Sequence, residues 1–272
     1  MTKVAEVLAV AETLWPSSGA DEWDRPGLIC GSQNSNVRTV LMTVDVTAEI
    51  IQDAAEAGID LIISHHPFLL RGIYELTEQS AKGSVLAAAI RNNIALFSAH
   101  TNADVVEGGV SAVLAEALGL QSITPLVPTS SNTVGHGRIG SLAQPVKLLD
   151  FARSVAGVLS ATAGGVRVAG DANQTVSRIA LCGGAGDSFI ASAIEANADV
   201  YVTSDLRHHP TQDALERARA EGREFALIDI SHWAAESLWL GQAANQLGNA
   251  LPDVKFVVSD LRTDPWDFAV TQ

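Results

Sequence analysis

The sequence predicts an α/β fold: two related, duplicated α/β units with a metal site between them. Three observations predict it. Short strands that are apolar on both faces alternate with helical stretches, as in sheets covered by helices on both sides. The strand-and-histidine pattern of the first half returns in the second. In both halves the histidines and carboxylates fall at the carboxyl ends of predicted strands, the edge at which open α/β sheets bind ligands.

The elements follow in order. Met-Thr-Lys-Val-Ala-Glu-Val-Leu at the start reads as a helix with charges spaced along it. It lacks the basic start, apolar middle and small-residue cleavage pattern of a signal peptide. In WDRPGL (23–28), Trp23 is expected to pack and Arg25-Pro26-Gly27 to turn the chain. Val40 to Val44 is a strand, with Asp45 at its end, and Ala48 to Ala57 a helix stopped by Gly58. Asp60 to Ser64 is a strand, Ser80 to Asn92 a helix and Ile94 to Ser98 a strand. PLVPTSSN (125–132), with two prolines and a polar run, marks a domain link. The first unit is therefore expected over 1–128 and the second over 129–272, whose C-terminal part has room to pack on the first. Beyond the link come a strand over Ser177 to Leu181, the turn CGGAGD (182–187), a helix over Phe189 to Ala196 and a strand over Asp199 to Thr203.

The halves repeat. AEAGIDLIISHHP (55–67) matches IEANADVYVTSDLRHHP (194–210) as helix end, turn, aspartate, apolar strand and histidine pair. IALFSAHTNAD (94–104) matches FALIDISHWAAE (225–236), with His100 set on His232 and Asp104 on Glu236. Duplication of one α/β unit accounts for both matches.

Composition narrows the function. The 272 residues are 47% hydrophobic and 18% charged, with a net charge of -14. An acidic chain without a Lys/Arg cluster is a poor partner for nucleic acid. No stretch approaches the roughly 18 consecutive apolar residues of a membrane span. Cys30 and Cys182 stand far apart in apolar company, which points away from a disulfide framework or a cysteine metal site. A cytoplasmic protein is the expectation.

Imidazole and carboxylate donors suit first-row metals such as zinc, manganese, iron or nickel. A histidine and a carboxylate four residues apart share one helix face. Two adjacent histidines in a turn at a strand end reach different ions of a close pair. A dinuclear site with ions about 3.5–4 Å apart needs a handful of such ligands and a bridging carboxylate. His65, His66, Asp104, His232 and Glu236 supply them, all at strand ends.

EWDRPGLICGS (22–32), ISHHPFLLRG (63–72), SAHTNADVVEGGVS (98–111), VRVAGD (166–171), CGGAGDSFI (182–190), DVYVTSDLRHH (199–209) and ISHWAAE (230–236) resemble, in order, the motifs of the NIF-three-like family, the GTP cyclohydrolase 1 type 2 homologs. The resemblance implies a duplicated α/β fold, two divalent metal ions and a ring-shaped homohexamer. It implies one ion on His66 and Asp104, the other on His65 and His232, and Glu236 as the bridge. Longer members carry an inserted domain between the halves. Pro125 to Gly165 is too short for one. The second half also reads TSD at 203–205, where the family often has Thr-Gly-Asp.

Around these ligands, His100 is expected as an outer-sphere residue that hydrogen-bonds a ligand or a bound water, or else as a first-turn capping histidine; His209 is expected as an outer-sphere proton carrier facing the same cleft, or else as a relic of the duplication. His208 and His136 read as surface residues, and Leu238-Trp239-Leu240 as helix core or subunit contact. CGGAGD reads equally as an anion-cradling loop or a tight glycine turn. The expected activity is metal-dependent hydrolysis of a small molecule, a nucleotide or phosphoester, by a metal-bound hydroxide. The alternative is a non-catalytic metal-binding, scaffold or regulatory protein.

Overall fold

A computed structural model describes residues 1–270. The chain forms two compact α/β units. The first contains Met1–Ala103 and Leu240–Thr263; the second contains Asp104–Trp239 and the residues from Asp264 onward. The division thus falls at Ala103/Asp104 rather than at residue 128. The expected link at 125–132 is instead a hairpin of the second unit: β6 (Val127–Pro128) pairs antiparallel with β7 (Gly135–His136), and Thr129 donates its amide to Val134 O. Pro128 lies on a two-residue edge strand, which spares the ladder a missing donor.

In the first unit, β1 (Gly27–Cys30), β2 (Thr39–Thr43), β3 (Leu61–Ser64), β4 (Ala95–Ser98) and a returning strand, Lys255–Val258, make one sheet. Its order is β1-β4-β3-β2 and then Lys255–Val258. All neighbours run parallel except β1, which is antiparallel to β4. The helices are α1 (Val4–Leu14), α2 (Ala48–Glu56), α3 (Ala81–Arg91) and α4 (Thr101–Asp104), which runs to the boundary. Side-chain caps start two of them: Thr47 accepts from the amide of Ile50, and Ser80 from that of Gly83. Ile50, Ile51 and Ala54 of α2 and Val85 and Ala89 of α3 pack on Leu41, Ile62 and Leu96. Val40, Met42, Leu61 and Ile63, which alternate with these along the strands, are buried too. Both faces of the sheet are therefore covered.

The second unit holds α5 (Val110–Ala117), β5 (Gln121–Thr124), β8 (Arg138–Lys147), α6 (Leu148–Val158), β9 (Arg167–Ala169), β10 (Thr175–Ala185), α7 (Ile190–Glu195), β11 (Val200–Ser204), α8 (His208–Ala220) and β12 (Ala226–Ile230). It also holds the start of α9 (His232–Ala250). Its sheet runs β5-β8-β10-β11-β12-β9. Phe151 and Val155 of α6 pack on Val200, Val202 and Ile228 on one face. Ala193, Ala214 and Ala218 of α7 and α8 pack on Tyr201 and Leu227 on the other.

The duplication is visible in the ladders. β9-β12-β11-β10 repeats β1-β4-β3-β2: three parallel strands, with the strand that precedes them in the chain antiparallel at one edge. Asp60 and Asp199 stand at the same point and do the same work. Asp60 accepts from the amides of Arg38 and Thr39, and Asp199 from those of Ser177 and Arg178. The turns before them place Gly58 (φ +66°) and Asn197 (φ +57°) in the left-handed region, which glycine and asparagine tolerate best.

This register shifts two sequence matches. Counted along the strand from each aspartate, the positions of His65 and His66 fall on Ser204 and Asp205, not on the second histidine pair. Leu61 pairs with Ala95, and Val200 with Ala226. His100 therefore corresponds to Ser231, and His232 corresponds to Thr101. CGGAGD is not a free turn either: β10 continues to Ala185, with an irregularity in its pairing between Leu181 and Ala185.

Candidate metal centre

In the first unit His65 and His66 follow β3, and His100 follows β4, all at carboxyl ends of parallel strands. Their ligand nitrogens lie within 4.8 Å of one another, a group able to hold a metal ion. Each ring is turned by a hydrogen bond at Nδ1. His65 Nδ1 is 2.9 Å from the carbonyl of Ala99, His66 Nδ1 is 2.7 Å from Asp45 Oδ1, and His100 Nδ1 is 3.0 Å from Asp24 Oδ2. A carbonyl or carboxylate only accepts, so Nδ1 carries the hydrogen, and Nε2 is the nitrogen that the neutral ring would turn to a metal.

Asp24 is built in deeply. Besides His100, it accepts from the Thr101 amide and hydroxyl and from the Arg25 amide. Burial opposes its charge, but the bonds from His100 and Thr101 outweigh that and bring its pKa to about 2. Trp23 does not pack as the sequence reading had it. It is 61% exposed, and its ring meets His100 edge to face at 5.8 Å. The turn residues around it, not the indole, tie down this segment.

In the second unit His232 begins α9, where Ser231 Oγ accepts from the amide of Ala234 and itself donates to Asp264. The i,i+4 spacing sets Glu236 against His232, Oε1 to Nε2 at 2.8 Å, and Asp205 Oδ2 takes the other nitrogen at 2.7 Å. Burial works against charge on His232, yet Glu236 and Asp205 raise its pKa to about 11. A buried carboxylate beside an imidazole held by a second carboxylate favours positive charge between them, and a divalent metal suits the same donors. Asp205 sits at φ +58°, a conformation aspartate adopts more readily than most residues. Asp104 ends α4, half-buried, and Asp104 and Glu236 both act electrostatically on the Cys182 thiol. Burial and these carboxylates push that thiol up to about 12, which makes it a poor ligand.

Gly184 leaves room for this pair. At φ +76°, a Cβ there would stand 2.7 Å from Glu236 Oε1 and 3.4 Å from His232 Nε2. The carbonyls of Gly184 and Gly186 accept from Thr203 Oγ1 and Tyr201 OH, and the amide of Gly183 donates to Ser111 Oγ. CGGAGD is thus a clamped strand end that makes space for a carboxylate, rather than an anion loop. Gly184→Ala is expected to cut metal retention at least tenfold while the protein stays folded; metal analysis after gel filtration checks this.

The structure therefore brings His65, His66 and His100 together in one unit, and His232 and Glu236 together in the other with Asp104 near the same thiol. His209 lies exposed in the first turn of α8, its ring against His208. Sequence reasoning passed over Asp24, Asp45 and Asp205 as orienting groups. Asp45 and Asp205 each follow the end of a parallel strand, which was the available signal; Asp24 offered none.

The match to known proteins now bears on this donor set. The model of the Duf34/NIF3 (NGG1p interacting factor 3) family matches residues 2–265. The chain belongs to the Duf34/NIF3 family. A Streptomyces coelicolor protein named GTP cyclohydrolase 1 type 2 homolog is 40% identical, the alignment covering 98% of this chain and 94% of that protein. A Mycobacterium bovis protein of the same name is 31% identical over 376 aligned positions, against 272 residues in this Duf34/NIF3 chain, so that relative carries residues this chain lacks. Among solved structures, a Bacillus cereus protein related to NIF3 superposes with a TM-score of 0.91 at 26% identity, covering 98% of this chain and 99% of that one. Reduced HcgD from Methanocaldococcus jannaschii gives 0.79 at 26%, covering 96% and 98%. No helix among the described residues is long and apolar enough to cross a membrane.

Proposed function

We propose that this NIF3 protein is a metal-dependent hydrolase with a dinuclear centre. Its ligands are His65, His66, Asp104, His232 and Glu236. One observation carries the reading: His65, His66, His100 and His232 each spend Nδ1 on an oxygen acceptor. With Nδ1 so engaged, Nε2 is the nitrogen each ring would present to a cation, in His232 after giving up the proton it shares with Glu236 Oε1. His66 and Asp104 would hold one ion and His65 and His232 the other, with Glu236 shared between them. Zinc, manganese, iron and nickel all suit this donor set. When bound, two such cations supply Lewis acidity that polarises a substrate oxygen and activates water at neutral pH.

The chain's own residues do the rest. Asp45, Asp24 and Asp205 fix the rings, and Glu236 contributes a carboxylate already stripped of water. His100 stands beside the ligands, its free nitrogen available to hydrogen-bond a substrate or a water. The substrate is a small molecule, a nucleotide or other phosphoester, consistent with the name its relatives carry. The protein works in the cytoplasm as a homohexamer.

Metal analysis of the purified protein, followed by a screen of nucleotides and phosphoesters with metal-reconstituted protein, tests the reading. About two ions per chain and turnover of at least one substrate are expected. A metal content near zero after reconstitution sinks it; metal without turnover leaves a non-catalytic metal-binding or scaffold protein. Light scattering checks the hexamer.

A further inference from the structure

Arg138 is a charge enclosed by main chain. It opens β8, paired with Leu181 of β10, and is 2% exposed. Taking a guanidinium out of water is costly unless its donors are met. Here carbonyls meet them. Nη1 donates to the carbonyls of Gly135 and Gly137, both at 2.7 Å, and Nη2 to those of Val105, at 3.5 Å, and Val106. The carboxylates of Asp104 and Glu107 act on the same charge through space.

These acceptors tie two stretches of the second unit together. Gly135 and Gly137 belong to the turn from β7 into β8, whereas Val105 and Val106 directly follow Asp104. Asp104 needs such a brace. It ends α4, a helix of four residues, and no helix or strand follows until Val110. A single helical turn does not hold itself in water. The main chain after it is held instead: Val105 O also accepts from the Gly135 amide at 2.9 Å, and Val106 O from the Gly109 amide at 3.0 Å. Bridging four carbonyls at once takes the rigid planar fork of an arginine; the single ammonium of a lysine lacks that geometry.

We propose that Arg138 is a positioning residue for Asp104: it fastens the main chain immediately after that carboxylate, so that the carboxylate is preset to receive its ion, and it holds no metal itself. This rests on reading Asp104 as a metal ligand and adds the group that keeps it in place.

The test is a double-mutant cycle on manganese binding, by calorimetry well below the unfolding temperature, in wild type, Arg138→Lys, Asp104→Ala and the double variant. Arg138→Lys is expected to weaken manganese binding at least tenfold when Asp104 is present. With alanine already at 104 it is expected to change affinity by no more than about twofold, because its effect passes through that carboxylate. A general loosening of the fold would weaken binding equally in both backgrounds. That result overturns the proposal and leaves the metal reading standing, as does wild-type affinity in Arg138→Lys. Hydrogen exchange on the wild-type protein tests the same point without a substitution at a buried site. The amides of Gly109 and Gly135, which bond the braced carbonyls, should be equally protected in metal-free and manganese-loaded protein; protection that arises only with manganese overturns the proposal. A wild-type protein that takes up no manganese overturns the metal reading, and the proposal falls with it.

Discussion

A double variant, His65→Ala with Glu236→Ala, is expected to lose metal entirely while keeping its fold. Each substitution strikes a different unit. His65 is buried, with Nδ1 already bonded to the Ala99 carbonyl. Its Nε2 is thus a preset donor, and alanine removes it without leaving a charge behind. Glu236 is 3% exposed and holds His232 at 2.8 Å. Removing that carboxylate takes away the main partner that keeps a cation on the His232 side, where desolvation otherwise favours the neutral ring. The variant's metal content after reconstitution should fall to the background of a metal-free control, with circular dichroism unchanged. Wild-type occupancy in the variant would remove both residues from the ligand set. Single variants should fall between, since the remaining ligands still offer partial sites.

Asp24→Ala is expected to be the most destabilising substitution near the site. The carboxylate gathers donors from His100, Thr101 and Arg25 and is 2% exposed. Alanine leaves these donors without their acceptor in a water-poor space, at a cost of about 3 kcal/mol or more. For a protein of this size that lowers the melting temperature by roughly 6–12 °C. The effect has a pH signature. The folded pKa of Asp24, about 2, lies below its ordinary 3.8. Its contribution is complete above the unfolded value and fades as pH falls through the folded one. The linked part, about 2.5 kcal/mol, should therefore be present at pH 7 and largely gone near pH 2. Urea unfolding of both proteins at pH 7 and pH 3 checks this; equal stability at pH 7 refutes it.

The strands β2, β3, β4 and β11 were legible because they are short apolar runs bounded by turn formers, each closing within a residue or two of its expected end. The His/Glu pair was legible because i,i+4 spacing on a helix leaves little freedom. What escaped was long-range. Asp24 reaches His100 from a segment whose local pattern announces only a turn. The proline-rich stretch looked like a linker because proline blocks ladder hydrogen bonds, yet a two-residue edge pairing accommodates it. The second histidine pair matched the first by eye, but sheet register puts Asp205 at the place of His66. There the repeat supplies an orienting carboxylate to His232 in place of a ligand. A one-residue offset also separates His100 from the true counterpart of His232; pairing distances decide that offset, and letter similarity does not.

The strand Lys255–Val258 completes the first sheet beside β2 from the far end of the chain. During synthesis on the ribosome, β2 is made long before the strand that becomes its outer neighbour. Until then the nascent polypeptide presents an unsealed, apolar margin to the cell, and its handling by chaperones becomes part of how this molecule reaches its working form.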